Sequence, residues 1–113
     1  MDIKLSKNDN DVYLLELTGV MDLYSSNQVK ELVMKMLKNK IKRFIINLKN
    51  VDNINSAGIG ALIYVFSTLK KLGCPMIMVA PEGSVLKALE TTKIKSYFTI
   101  VATLKEALEY EPD

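Results

Sequence analysis

The sequence predicts an α/β fold: a mainly parallel β-sheet with an antiparallel edge strand from an N-terminal hairpin, and about four α-helices. Strand-like and helix-like apolar patterns alternate along the chain, as they do in a sheet built from right-handed crossovers. Two short, nearly continuous apolar runs, Phe44 to Leu48 and Met76 to Val79, read as strands covered on both faces. The chain opens differently, on two strand-like segments separated by Asn8-Asp9-Asn10-Asp11, a dense turn signal that reads as a hairpin.

Taken in order, Ile3 and Leu5 alternate with Lys4 and Ser6, the period of a half-exposed strand. Val12 to Leu17 forms the second strand, closed by Thr18-Gly19. Ser25 and Gln28 stand at capping-box spacing, so a helix is expected to begin there, with Val29, Leu32, Val33, Met36 and Leu37 on its apolar side. After the strand at Phe44 to Leu48, Lys49 to Asn55 reads as a polar loop. Ser56 to Leu72 is helical, with Ile59, Leu62, Ile63, Phe66 and Leu69 in one stripe and Gly73 as the stop. Pro81 and Glu82 open a third helix containing Val85, Leu86 and Leu89. Tyr97 to Val101 is a last short strand, and Thr103 with Glu106 forms a capping box for a final helix. Residues 1–113 are expected to form one domain with no internal repeat or linker.

Composition narrows the function. The chain has 113 residues, is 49% hydrophobic and 25% charged, and carries a net charge of +2. That is an ordinary globular balance, with too little charge to imply nucleic acid. Positive charge is concentrated from Lys30 to Arg43, with six cations against the single anion Glu31, while Glu106 to Asp113 carries four acids and no cation. Without interleaved aromatics the basic run reads as a solvated helix face. The lone Cys74 rules out an internal disulfide and suits a reducing compartment. The amino end has no secretory pattern, and the longest apolar stretch, Ala57 to Phe66, falls short of the roughly 20 residues a membrane span needs. A cytoplasmic protein without membrane insertion or direct nucleic-acid contact is expected.

Catalytic signatures are scarce. There is no histidine, the commonest general base and metal ligand, and no pair of carboxylates at a catalytic spacing. Gly58-Ile59-Gly60 does not extend to a dinucleotide fingerprint, because position 63 is Ile63, and there is no phosphate-loop lysine. Both glycines read instead as close approach of a helix to the sheet. No catalytic residue, metal or cofactor is therefore expected. The stretch Asn53-Ile54-Asn55-Ser56-Ala57-Gly58 remains. It carries the chain from a strand into a helix at the carboxyl edge of the sheet, where ligands and partners dock. Helix-start donors and the helix dipole there favour a phosphate on Ser56, although Asn55 or Ser56 can equally serve as a simple N-cap. Gly19-Val20-Met21-Asp22 follows the preceding strand, so Asp22 is expected beside Ser56, as a partner contact or a helix cap. Ala61, Tyr64, Val65 and Thr68 lie off the apolar stripe of the second helix and form either a docking face or a surface for a neighbouring helix.

Together, Gly19-Val20-Met21-Asp22, Ile45 to Leu48, Asn55-Ser56-Ala57-Gly58-Ile59-Gly60-Ala61-Leu62, and Pro81 with Val85 and Leu89 make the chain resemble the STAS domain family, in particular the single-domain bacterial anti-sigma factor antagonists. The resemblance implies partner switching. The unphosphorylated domain binds an anti-sigma factor, a GHKL-type serine kinase, and frees the sigma factor. Phosphorylation releases the complex, and a PP2C-type phosphatase restores the binding form. By motif, Ser56 is the acceptor, and Asp22, Asn55, Ser56, Ala57, Gly58 and Ala61 are the partner-binding positions. The family often has aspartate where this chain has Asn55, and serine where it has Ala57. Ala57 leaves Ser56 as the one hydroxyl that can accept, and the charge lost at Asn55 leaves open a domain that binds constitutively. STAS-like domains also imply an alternative role, as structural or regulatory subunits of membrane lipid-transport ATPase complexes without phosphorylation.

Overall fold

The computed structural model describes residues 1–111. Asp113, counted above in the acidic tail, lies outside them. The elements are β1 (Asp2–Lys7), β2 (Val12–Met21), α1 (Leu23–Met36), β3 (Arg43–Ile54), α2 (Ser56–Lys71), β4 (Met76–Val79), α3 (Gly83–Thr91), β5 (Thr99–Val101) and α4 (Leu104–Leu108), with a 3₁₀ turn at Lys95–Tyr97 before β5. The strands form one sheet in sequence order, β1 antiparallel to β2 and the rest parallel. This is the predicted α/β architecture with its hairpin edge.

Strand order explains the layering. Each crossover joins neighbours and advances in one direction, so right-handed connections place all three crossover helices on one face. Val29 and Val33 of α1, Leu62 and Leu69 of α2, and Val85 and Leu89 of α3 accordingly share one core with Leu15, Leu17, Phe44 and Ile46. The opposite face carries a smaller cluster, Val12, Ile45, Ile77 and Val79, under Ala107 of α4. Arg43, counted in sequence with the solvated basic run, is buried on that side and donates from Nη1 to the Leu108 carbonyl at the end of α4.

Two strands outrun their sequence-based boundaries. β4 pairs with β3 only from Phe44 to Asn47, but β3 continues to Ile54 against β2, which itself runs to Met21. Past Asn47 the β4 side of β3 is unpaired, so Lys49, Asn50, Asp52 and Asn53 are exposed while Val51 and Ile54 reach the core. That three-residue rhythm, with register shifts between Glu16 and Thr18 and between Gly19 and Val20, makes an overhanging strand read as a polar loop. The first helix also begins early. Its capping box is Asp22 with Ser25, not Ser25 with Gln28, because β2 leaves Asp22 extended at the helix mouth. The last predicted strand, Tyr97 to Val101, shortens to β5, since the chain is still in the 3₁₀ turn at Tyr97. Thr103 caps α4 as expected, accepting from the Glu106 N–H at 3.2 Å.

Candidate functional site

The ends of β2 and β3 bring two helix starts together. Met21 pairs with Ile54, and the Asn55 N–H donates to the Met21 carbonyl at 3.2 Å. Asp22 and Asn55, the next residues on each strand, are the N-caps of α1 and α2. Asn55 Oδ1 accepts from the Gly58 N–H at 3.1 Å, and the Asn55 carbonyl accepts from the Ile59 N–H at 3.0 Å. Asparagine caps as well as aspartate does, so Asn55 keeps the local geometry while removing a charge.

Ser56 is the first residue of α2 and is exposed. Its hydroxyl makes no hydrogen bond among the described residues, and neither do the Ser56 and Ala57 N–H groups. The site therefore offers a reachable hydroxyl beside two unpaired donors at the positive end of a helix, an environment that accepts an anion. Behind it, Gly58 is buried. A Cβ there would lie 2.5 Å from Ile54 Cγ1 and 3.0 Å from Met21 Cγ, so only glycine lets the first turn seat on the strand ends.

Asp22 is locked by its own turn. Oδ1 accepts from the Ser25 N–H at 3.0 Å and from Ser25 Oγ at 3.1 Å, while Ser25 Oγ accepts from the Asp22 N–H at 2.9 Å. The Ser25 backbone hydrogen bond, followed by the Ser25 hydroxyl, holds its carboxyl below the ordinary 3.8. A lowered folded pKa favours the ionised, folded form. Its stabilisation is complete above 3.8 and is lost as pH falls through the lowered value. Asp22→Asn, which keeps a capping oxygen, is expected to flatten the acid limb of stability as pH falls through the ordinary carboxylate range and below it, read from unfolding midpoints.

The sequence-predicted positions do not all reach the surface. Ala61 is fully buried, and Val65 with it, because α1 packs along that flank of α2. Of the two alternatives for that face, covering by a neighbouring helix holds for these two residues, and Ala61 is not a contact surface. Tyr64 does stay exposed. The close-approach reading holds for Gly58 and fails for Gly60, above which nothing lies within 4 Å. The helical and strand patterns missed an apolar rim around Asp22, where Val20 is 49%, Leu23 64% and Tyr24 74% exposed. The signal available was Leu23-Tyr24 just ahead of the helix's apolar stripe, with no partner in it.

Other chemistry is limited. Cys74 is buried, which pushes its thiol up to about 11 and leaves it un-ionised at neutral pH. Among the described residues there is no cluster of three or more potential metal ligands, and no helix is long and apolar enough to cross a membrane.

A five-stranded sheet with an antiparallel β1–β2 edge and three crossover helices on one face is the STAS architecture. The STAS domain model matches residues 3–107, and the chain belongs to that family. Among solved structures, it is similar to a candidate anti-sigma factor antagonist of Thermotoga maritima, with a TM-score of 0.86 and 21% identity over 95% of this chain and 92% of that chain. It is also similar to the anti-sigma factor antagonist SpoIIAA in its unphosphorylated form, at 0.77 and 16% over 96% of each chain. A sulfate transporter family protein of Wolinella succinogenes matches at 0.77 and 19%, over 88% of this chain and 84% of that one. At these identities the likeness establishes the fold.

Proposed function

We propose that this domain is a cytoplasmic anti-sigma factor antagonist that works by partner switching and catalyses no reaction itself. Unphosphorylated, it binds an anti-sigma factor that is a GHKL-type serine kinase, and so frees the sigma factor. Phosphorylation of Ser56 ends that binding, and a PP2C-type phosphatase reverses it. The observation that carries the reading is the exposed, unbonded Ser56 hydroxyl at the start of α2, beside Asp22 and the apolar rim of Val20, Leu23 and Tyr24. A reachable hydroxyl next to an exposed apolar rim suits a protein partner better than a small substrate. A kinase substrate needs only that hydroxyl, since the kinase brings the base and the magnesium. SpoIIAA, of the same fold, has been solved in both unphosphorylated and phosphorylated forms, which supports a phosphate switch on this architecture.

Incubation with the cognate kinase and ATP, followed by mass spectrometry, tests this directly. Phosphate is expected on Ser56 and nowhere else. Phosphate on another residue, or an unmodified chain in the presence of active kinase, would refute the switch. Asn55, in place of the aspartate the family often has before the acceptor, leaves one second reading, a non-phosphorylated subunit of a membrane lipid-transport ATPase complex. Recovery of a transporter ATPase from cells, with the kinase absent, would decide for it.

A further inference from the structure

Beyond the Ser56 switch, one surface is left unexplained by the fold. Ser56, Gly60 and Tyr64 follow each other at four-residue intervals and are all exposed, so they form one ridge along α2. Gly60 sits inside a helix, where glycine is disfavoured against alanine, yet a Cβ there would meet nothing within 4 Å. Packing within this chain does not call for it, whereas close approach of another backbone does. One turn further, Tyr64 and Met34 of α1 are 42% and 48% exposed and touch, Tyr64 Oη donating to Met34 Sδ at 3.5 Å. Lys30 Nζ stands 5.5 Å from the centre of the Tyr64 ring, and Lys35 and Lys38 complete the rim of this shallow groove between α1 and α2. Glu31 is the sole acid lining it, and among the described residues none of the three lysines is in an ion pair.

We propose that this groove is a second docking site, distinct from Ser56, for an acidic segment of a protein partner. The segment's backbone crosses Gly60, an apolar side chain covers Tyr64 and Met34, and its carboxylates face Lys30, Lys35 and Lys38. The cationic rim selects for acid, and the apolar floor with a glycine contact selects for a peptide chain over a free anion. Eight residues of helix, rising about 1.5 Å each, separate Tyr64 from Ser56 by about 12 Å. Gly60 lies only about 6 Å from Ser56, inside the Debye length of about 8 Å at physiological salt, whereas Tyr64 and the lysine rim lie outside it, so charge on Ser56 reaches the segment where it crosses Gly60 and is largely screened from its carboxylates at the rim.

The probe is a synthetic dodecapeptide of glutamates around a central leucine and phenylalanine, titrated into the isotopically labelled protein and followed by NMR. Saturable shifts at Met34, Gly60 and Tyr64 are expected. Lys35→Glu/Lys38→Glu, both exposed positions, should weaken binding by about tenfold, and a glutamine version of the peptide should not bind. Gly60→Ala should melt at or above the native temperature yet bind the peptide more weakly. Ser56→Asp should weaken the peptide by clearly less than the tenfold loss on charge reversal of the rim, which separates this site from the switch; an equal or larger loss overturns the proposal. The proposal is overturned by shifts elsewhere, by equal binding of the glutamine peptide, or by charge reversal without effect. It is also overturned if the same groove shifts appear on raising protein concentration alone, which would make a second copy the occupant, or on adding anionic lipid vesicles but not peptide.

Discussion

Ser56→Asp is expected to weaken binding of the anti-sigma factor kinase by about 1–3 kcal/mol, roughly 5- to 150-fold in Kd, with the fold intact. The two halves of that result have different causes. Within the chain, an acid at the first position of α2 meets the positive helix end and the unpaired Ser56 and Ala57 donors, so it is neutral or stabilising by about 0.3–1 kcal/mol. Across an interface the same charge sits at the neighbouring strand end to the already ionised Asp22 and its apolar rim of Val20, Leu23 and Tyr24, where a docked partner must desolvate it. A phosphate, carrying about −1.5 to −2 charges, should act in the same direction and more strongly. Ser56→Ala, in contrast, should bind as the native protein does and resist release by kinase and ATP. Titration calorimetry checks the affinities, and thermal melts check the fold. An aspartate variant that melts normally and binds with native affinity would remove Ser56 from the interface.

Much of this arrangement is legible in the sequence because local and global signals agree. The Asn8–Asp11 turn, the buried run of β4 and the Thr103 cap of α4 each depend on neighbours in the chain, and all three form, although the Glu106 carboxylate accepts from the Thr103 hydroxyl and does not complete the capping box. The helix start at Ser56 is legible for the same reason: Asn55 is a good cap directly ahead of an apolar periodic stretch. What is not legible depends on partners distant in sequence. The end of β3 looks like a loop because β4 stops short beside it, and nothing between Lys49 and Asn53 records that β2 is still paired. The sequence offers both Asp22 and Ser25 as caps for α1, and only the length of β2 decides for Asp22. Ala61 lies off the apolar stripe that the pattern of α2 suggests, but the face that is buried runs through Gly58, Ala61, Leu62, Val65 and Leu69 and leaves Ile59, Ile63 and Phe66 only partly buried. The two glycines look equivalent in the motif, and only three-dimensional packing separates a forced position from a free one.

That contrast gives the second large effect. Gly58→Ala is expected to destabilise the protein by about 1–3 kcal/mol, although alanine is intrinsically the better helix former by about 0.5–1 kcal/mol. The added methyl would stand 2.5 Å from Ile54 Cγ1, 3.0 Å from Ile54 Cδ1 and 3.0 Å from Met21 Cγ, and both of these side chains are buried at the paired ends of β3 and β2. Neither can swing into solvent, so strain goes into rotamers or lifts the first turn of α2 from the sheet. Gly60→Ala meets no such contact and should gain the propensity term, so two identical substitutions two residues apart should shift the urea midpoint in opposite directions. Ile54→Ala removes the nearest clashing atoms. In a double-mutant cycle the Gly58→Ala/Ile54→Ala pair should therefore cost less than the sum of the single changes. Lifting the first turn also displaces Ser56 from its place beside Asp22, so kinase binding should fall with stability in Gly58→Ala and recover with it in the pair. Equal midpoints for the two alanine variants would mean that Ile54 yields freely, and that Gly58 does not set the height of the Ser56 turn.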